Sequence, residues 1–240
     1  MIDTAILLSA GKGERLKPLT DSIPKPLLCI NQKPLIVYHI EKLAQIGIKN
    51  IIINISYLSE KIKFLLQNGH QFGVNIIYSE EPQALETGGG IVKALRLFKN
   101  PDNPFLVISS DIYTDYPFDK LIKKQWLQRF NQLQLEAHLV LVPNPPYHLE
   151  GDFTLQYDNQ HEFEYLQRIP IHSNTISYTY ASFGVFHQRL FYGCEIKHFR
   201  LSPLLFQGID KQKITGEIYF GQWYNVGTVS EYETLCKKFN

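Results

Sequence analysis

No apolar run in this 240-residue chain approaches the roughly 18 residues that a membrane-crossing helix requires, so no membrane partner is expected. Charge of one sign is lacking too, since 24 Lys and Arg stand against 23 Asp and Glu for a net charge of +1. Such a chain has no whole-molecule field to gather nucleic acid or an anionic surface, and any anion site must be a local cluster. Cysteine is scarce. Cys29, Cys194 and Cys236 are scattered without metal-ligand spacing and cannot all pair, which fits free thiols in a reducing compartment. The first residues turn polar at Asp3 and do not read as a cleavable leader, so the cytoplasm is the expected location. With 44% hydrophobic and 20% charged residues, the chain suits one large α/β domain with an ample core.

Two common nucleotide fingerprints are also missing. A dinucleotide-type Gly-x-Gly-x-x-Gly would need glycine at position 16, where the chain has Leu16, and the P-loop spacing of Gly-x-x-x-x-Gly-Lys-[Ser/Thr] does not occur. What is present is longer. An apolar run over residues 4–8 leads into Ser9-Ala10-Gly11-Lys12-Gly13-Glu14-Arg15-Leu16-Lys17-Pro18-Leu19-Thr20 and on to Pro24-Lys25-Pro26-Leu27-Leu28. Glycines here let backbone N–H groups approach polyphosphate oxygens. Arg15 can grip those oxygens in a fork, and Lys25 offers a point charge between stiff prolines.

The rest of the chain alternates. Helical spacing covers 35–46 and stops at Gly47, and the unbroken apolar run 51–55 reads as a strand buried on both faces. A helix over 58–66, a strand over 74–78, a helix over about 91–98, a strand over 105–109, a helix over about 118–130 and a strand over 137–142 follow. This predicts a doubly wound, mostly parallel, Rossmann-like α/β sheet with ligands at the carboxyl ends of its strands. Before the 91–98 helix, Thr87-Gly88-Gly89-Gly90 reads either as a backbone cradle at a helix start or as a flexible capped turn. From about residue 143 the rhythm changes to turn-rich sequence and short β-runs at 153–157, 161–166 and 176–186, expected to form a small antiparallel lobe. Residues 1–142 are thus read as an α/β core and 143–240 as an antiparallel lobe with a closing segment. In Tyr178-Thr179-Tyr180-Ala181-Ser182-Phe183, a sugar platform and an alternating strand core are both open readings.

The glycine, arginine and Pro-Lys-Pro stretch resembles the signature of sugar-1-phosphate nucleotidylyltransferases, which join a nucleoside triphosphate to a sugar 1-phosphate and release pyrophosphate. The resemblance runs over nearly the whole chain. It implies Mg²⁺ as cofactor, no covalent enzyme intermediate, and Arg15, Lys25 and Asp111 as catalytic residues. Nucleotide contacts would come from Ala10, Gly11, Gly13, Glu14, Arg15, Lys25, Gln83 and Gly88. Leu85-Glu86-Thr87-Gly88-Gly89-Gly90 stands where the family has its base-recognition loop, and with Asn144-Pro145 and Gly151-Asp152-Phe153 it looks like the branch acting on N-acetylmuramic acid 1-phosphate, with UTP, in peptidoglycan recycling. Asn144, Gly151, Asp152 and Tyr180 are then the sugar-side candidates.

Asp111 ends a strand as Ile108-Ser109-Ser110-Asp111, where the family usually reads Gly-Asp, and it is placed to hold Mg²⁺. Asp115 reads equally as turn former or ligand. The final block, Trp223-Tyr224-Asn225-Val226-Gly227-Thr228, departs further, because the family shows Trp-x-Asp-Val-Gly-Thr and uses that aspartate as its second metal ligand. Asn225 lacks the charge. The family's Glu-Lys-Pro triplet is replaced by Gln167-Arg168-Ile169-Pro170, leaving Arg168 as a substitute cation. The alternative readings are an enzyme making GDP-mannose or dTDP- or UDP-glucose, and a non-catalytic nucleotide- or sugar-phosphate-binding paralogue. No hexapeptide-repeat extension is expected, and a monomer or small homo-oligomer is expected.

Overall fold

The computed structural model describes residues 2–100, 102–158, 163–169 and 175–239. In chain order its elements are β1 (Thr4–Leu8), β2 (Cys29–Ile30), β3 (Lys33–Pro34), α1 (Leu35–Gln45), β4 (Asn50–Ile55), α2 (Ser59–Leu66) and β5 (Asn75–Glu80). Then come α3 (Glu86–Leu95), β6 (Phe105–Ser109), β7 (Ile112–Thr114), α4 (Lys124–Gln132) and β8 (Ala137–Val142). The chain closes with β9 (Phe153–Asp158), β10 (Phe163–Arg168), β11 (Thr179–Phe186), α5 (Ser202–Asp210), β12 (Ile214–Ile218), β13 (Trp223–Asn225) and α6 (Val229–Phe239).

Nine strands form one sheet in the order β5-β4-β1-β6-β11-β8-β12-β10-β9. β5, β4, β1 and β6 pair in parallel, as do β8 and β12, while β11 runs against both β6 and β8. The apolar runs read from the sequence supply strands whose faces are both covered: Ile51, Ile53 and Leu7 lie in one core cluster, and Ile52 and Ile6 in the cluster on the opposite face. The antiparallel runs expected after residue 143 are present, yet they extend this same sheet through β11 and the β12-β10-β9 edge. Residues 161 and 162 of the expected run 161–166, and Pro170, lie outside the described residues.

Two helix boundaries differ from expectation. The stretch 118–130 is divided, because Lys123 takes an extended backbone (φ −59°, ψ 132°) between a short 3₁₀ turn at Phe118–Ile122 and α4. More important for the site, α3 begins at Glu86 rather than near 91, so Gly88, Gly89 and Gly90 are inside the helix. A third, smaller apolar cluster joins Leu16, Leu28, Ile30 and Leu35 to Val226 and Leu235. It seats the C-terminal segment directly against the N-terminal glycine turn.

Candidate active site

The carboxyl ends of β1, β4, β5 and β6 open on one side of the sheet, and the chain from β1 continues there as the glycine turn. Gly13 has φ +67°, a left-handed conformation that glycine adopts without strain, and its carbonyl accepts from the Thr20 hydroxyl at 2.8 Å and from the Leu16 N–H at 2.9 Å. A Cβ on Gly13 would sit 3.0 Å from Thr20 and 3.3 Å from Lys25, so the turn wraps closely around the lysine stem. Ala10, Gly11 and Lys12 line a cavity of about 360 Å³ together with Thr87, His198 and Asp111. Glu14 is exposed on the short 3₁₀ turn and lines none of the three cavities described below.

Lys25 and Asp111, 86 residues apart, meet with Nζ 2.5 Å from Oδ2, and the Ser109 hydroxyl donates to Oδ1 at 2.7 Å. Burial by itself would push the Asp111 carboxyl up, but the neighbouring Lys25 ammonium, aided by Ser109, outweighs it and holds the carboxyl below its usual range. Ser110, where the family usually has glycine, is consumed in stitching: its hydroxyl donates to the Leu8 carbonyl at 2.7 Å and accepts from Ser9 at 2.9 Å. Asp115 accepts from the Tyr219 hydroxyl and from the Gln222 N–H at 2.8 Å, which assigns it to the turn and away from metal ligation.

The C-terminal block reaches the same place. β13 pairs with β7 so that Asn225 faces Ile112, and the Val226 N–H donates to the Asp111 carbonyl at 2.9 Å. An Arg15 guanidinium nitrogen lies 3.4 Å from where a Gly227 side chain would begin, and the Tyr147 hydroxyl lies near Asn225 within the field of Glu231, Arg15 and Asp111. Tyr147 and Asn225 also line a cavity of about 480 Å³ with Trp223 and Tyr224. Arg15, Lys25, Asp111 and Asn225 are therefore gathered around one point.

A third cavity, of about 370 Å³, shares Leu8, Thr87 and Ser109 with the first and continues to Asp152, Tyr180, Ser182 and Arg200. Here β11 skips register between Tyr180 and Gly184, and Ser182 sits at φ +64°, so a bulge turns Tyr180 and Ser182 toward the cavity while Ala181 and Phe183 stay in the core. The strand-core reading of that run holds for Ala181 and Phe183, while Tyr180 and Ser182 line the cavity. Asp152 accepts from the Tyr180 N–H at 2.8 Å and pairs with His148 at 3.1 Å, and burial followed by the Asp152 charge pushes the Tyr180 hydroxyl up.

Five sequence-derived candidates are placed otherwise. Asn144 spends its amide on its own chain, donating to Leu149 O and Ser177 and accepting from Thr179, and it lines neither the first nor the third cavity. Gly151, at φ +65°, is glycine because a Cβ would come 2.7 Å from Asn144 Oδ1 and 2.9 Å from Ser177 Oγ. Gly88 does not sit in an open loop: it is buried, its N–H donates to the Phe199 carbonyl at 3.0 Å, and a Cβ would meet the Phe199 ring at 2.4 Å. Gln83 is exposed and lines none of the three cavities, whereas its neighbour Ala84 lines the first. Arg168, the substitute cation, is paired with Asp210 and stacked 4.8 Å over Phe206, away from the other site residues.

The cation that does face the third cavity is Arg200. Nothing in its immediate sequence marks it. It arrives because the segment 197–199 lies against the start of α3, with the Gly88 and Gly89 N–H groups both donating to Phe199 O and the Phe199 N–H donating to Leu85 O. A Cβ on Gly89 would lie 2.0 Å from the Lys197 carbonyl oxygen. Gly89→Ala should gain about 1 kcal/mol of helix propensity but lose about 1–3 kcal/mol or more to overpacking against a backbone atom that cannot swing aside. A net fall in Tm is the expected result, and a rise on a melting curve would contradict the close packing.

These features define a class before they define a family: a doubly wound α/β sheet with an arginine, a lysine and an aspartate gathered at its carboxyl edge beside two confluent cavities, the edge at which such sheets place their ligands. A model of the nucleotidyl transferase family matches residues 4–145, and the chain belongs to that family. It is 38% identical over 229 residues, 94% of this chain and 93% of the relative, to N-acetylmuramate alpha-1-phosphate uridylyltransferase of Neisseria meningitidis. It is 41% identical over 118 residues to mannose-1-phosphate guanyltransferase of Gibberella zeae, a match that covers 49% of this chain and 32% of that protein. In fold it resembles a UDP-glucose pyrophosphorylase complexed with UDP-glucose (TM-score 0.76, 18% identity, 100% and 98% of the two chains). HddC from Yersinia pseudotuberculosis is similar as well (TM-score 0.73, 20% identity, 100% of each chain).

Proposed function

We propose that this protein transfers a uridylyl group from UTP to N-acetylmuramic acid 1-phosphate, forming UDP-N-acetylmuramic acid and pyrophosphate, in cytoplasmic peptidoglycan recycling. The observation that carries the reading is the meeting of Arg15, Lys25, Asp111 and Asn225 at the mouth of the glycine turn, combined with similarity along 94% of the chain to an enzyme of that name. An oxygen of the sugar phosphate would attack the α-phosphorus in line, and the bond to the β-phosphate oxygen would break, so the electron pair leaves with pyrophosphate. Catalysis of this kind rests on holding two anions together and on neutralising charge at the leaving group. Arg15 is assigned to the leaving pyrophosphate, and Lys25 to the α-phosphate or the incoming phosphate. Lys25 is already charge-paired with Asp111, so a phosphate arriving there meets a cation that need only exchange one oxygen partner for another. Arg200, with Asp152 and Tyr180 beside it, is assigned to the sugar 1-phosphate, the role Arg168 is too distant to take.

A divalent cation is compatible with the donors present. Among the described residues no three His, Cys, Asp or Glu gather as a metal site. One ionised carboxylate and one amide oxygen are hard ligands of the kind Mg²⁺ accepts when phosphate and water complete its shell. Asp111 and Asn225 would hold Mg²⁺, which would supply charge neutralisation to the phosphates.

Purified protein should release pyrophosphate with UTP and N-acetylmuramic acid 1-phosphate at least tenfold faster than with GTP and mannose 1-phosphate or dTTP and glucose 1-phosphate, tenfold being about 1.4 kcal/mol of discrimination. A different best pair would reassign the sugar or the base. Asn225 favours one competing reading, a non-catalytic binder, and that reading requires ligand-induced stabilisation with no product from any pair. Asn225→Asp separates the cases further. Little change is expected if the amide is a working ligand, and a large gain would mark a decayed site.

A further inference from the structure

We propose that Asn54 and Glu81 are positioning residues that set the spacing between the phosphate-binding turn and the base-side turn of the nucleotide cavity. The proposal rests on the nucleotide reading above. Three hydrogen bonds run in a line across the ends of three strands. The Ser9 N–H donates to Asn54 Oδ1 at 2.7 Å, Asn54 Nδ2 donates to Glu81 Oε1 at 2.8 Å, and the Leu85 N–H donates to Glu81 Oε2 at 2.8 Å. Ser9 leads directly into Ala10 and Gly11, and Leu85 leads into Glu86 and Thr87, so both ends of the line carry residues of the same cavity wall. Asn54 and Glu81 are each 3% exposed. Two N–H donors, and no ion pair among the described residues, hold the Glu81 carboxylate.

A buried carboxylate without a cation is an expensive strut unless its charge has a use. Its use here is directional. A carboxylate only accepts, so it forces the Asn54 amide to present its NH₂ toward Glu81 and its oxygen toward the Ser9 N–H. The orientation of a side chain on β4 and of the backbone amide just after β1 is thereby dictated by the residue that follows β5. Space is reserved for the arrangement by the third glycine of α3, since a Cβ on Gly90 would come within 2.7 Å of Asn54 Nδ2 and 2.9 Å of Glu81 Oε1.

The polarity of the line makes a sharp test. In Glu81→Gln, one amide must satisfy two donors and has a single acceptor. Turning the Asn54 amide over only moves the donor-to-donor conflict to Ser9. In Asn54→Asp, two carboxylates face each other and repel. The double variant Asn54→Asp with Glu81→Gln reverses the middle of the line and leaves every donor with an acceptor, at unchanged net charge. Each single variant should raise the KM for UTP with magnesium about tenfold, the size of one unsatisfied buried group, while the KM for the sugar phosphate stays within about twofold. The double variant should return to within about threefold of wild type.

Steady-state kinetics with both substrates varied, calorimetric titration of UTP with magnesium, and circular-dichroism melting of all four proteins read this out. Wild-type affinity in Glu81→Gln, a double variant as weak as the singles, or equal losses toward both substrates would overturn the proposal alone. A wild type that binds no nucleoside triphosphate would overturn the nucleotide reading and the proposal with it. Should the single variants fail to fold, the double variant decides, by recovering fold and UTP affinity together or by failing to.

Discussion

Lys25→Ala should cut turnover by on the order of a hundredfold or more and also weaken the fold at neutral pH. The catalytic part follows from the position of the ammonium 2.5 Å from Asp111, on a stem gripped by the glycine turn and flanked by Pro24 and Pro26. Alanine removes the charge that an incoming phosphate would meet. The stability part follows from the partner left behind. With the Lys25 side chain only 11% exposed, its loss leaves the Asp111 carboxylate, itself 29% exposed, facing a largely dry wall without its cation. About 1–3 kcal/mol is the usual penalty for such an uncompensated group.

A pH signature should accompany that loss. The Asp111 pKa is lowered in the folded protein, against burial, chiefly by Lys25. Its contribution to stability is therefore present above the ordinary carboxylate pKa of about 4 and fades as pH falls through the lowered folded value. Without Lys25, burial is opposed only by the Ser109 and backbone hydrogen bonds, and the carboxyl pKa rises. The variant should then gain relative stability on acidification over the range in which the wild type is losing it. Thermal melts from neutral to acidic pH would show the two curves converging, and parallel curves would mean that the pair carries no such linkage.

Arg15→Ala should match that loss of turnover, on the order of a hundredfold or more, while leaving stability within about 0.5 kcal/mol of wild type. Arg15 is exposed on its short turn, and no ion pair involving it is found among the described residues, so the folded state gives up little when it is shortened. Its reach toward Gly227 places the guanidinium beside the Asn225 segment, where a leaving pyrophosphate would collect. Arg15→Lys should recover only part of the activity, because an ammonium cannot form the planar two-bond grip on phosphate oxygens. Activity near wild type in purified Arg15→Ala would remove this residue from the mechanism, and a large fall in Tm would show that its role is structural.

Much of this site was legible because its parts are close in sequence. Gly11, Gly13, Arg15 and Lys25 fall within a few turns of one another, and local rules about backbone freedom and charge suffice to read them. The alternation of strands was legible for a similar reason, since runs such as Ile51 to Ile55 carry their burial in their composition. The start of α3 was misread because three glycines have poor helix propensity, and propensity yields to packing when the segment 197–199 demands bare backbone on that face. Gly88 and Gly89 are small to admit Phe199 and the Lys197 carbonyl, and Gly90 is small to admit Asn54 and Glu81.

The sequence by itself determined a glycine turn with its cations at the end of a buried strand, and the carboxylate that follows a second strand, because both are built from neighbours along the chain. Only the tertiary structure decided which of several equivalent-looking polar residues face a cavity. Asn144 and Gly151 brace one loop, Arg168 answers Asp210, and Arg200 turns to the cavity, by contacts between residues tens of positions apart. A side chain's chemistry is written in its identity, but its partner is set by which strands lie side by side, and that depends on how the whole sheet closes.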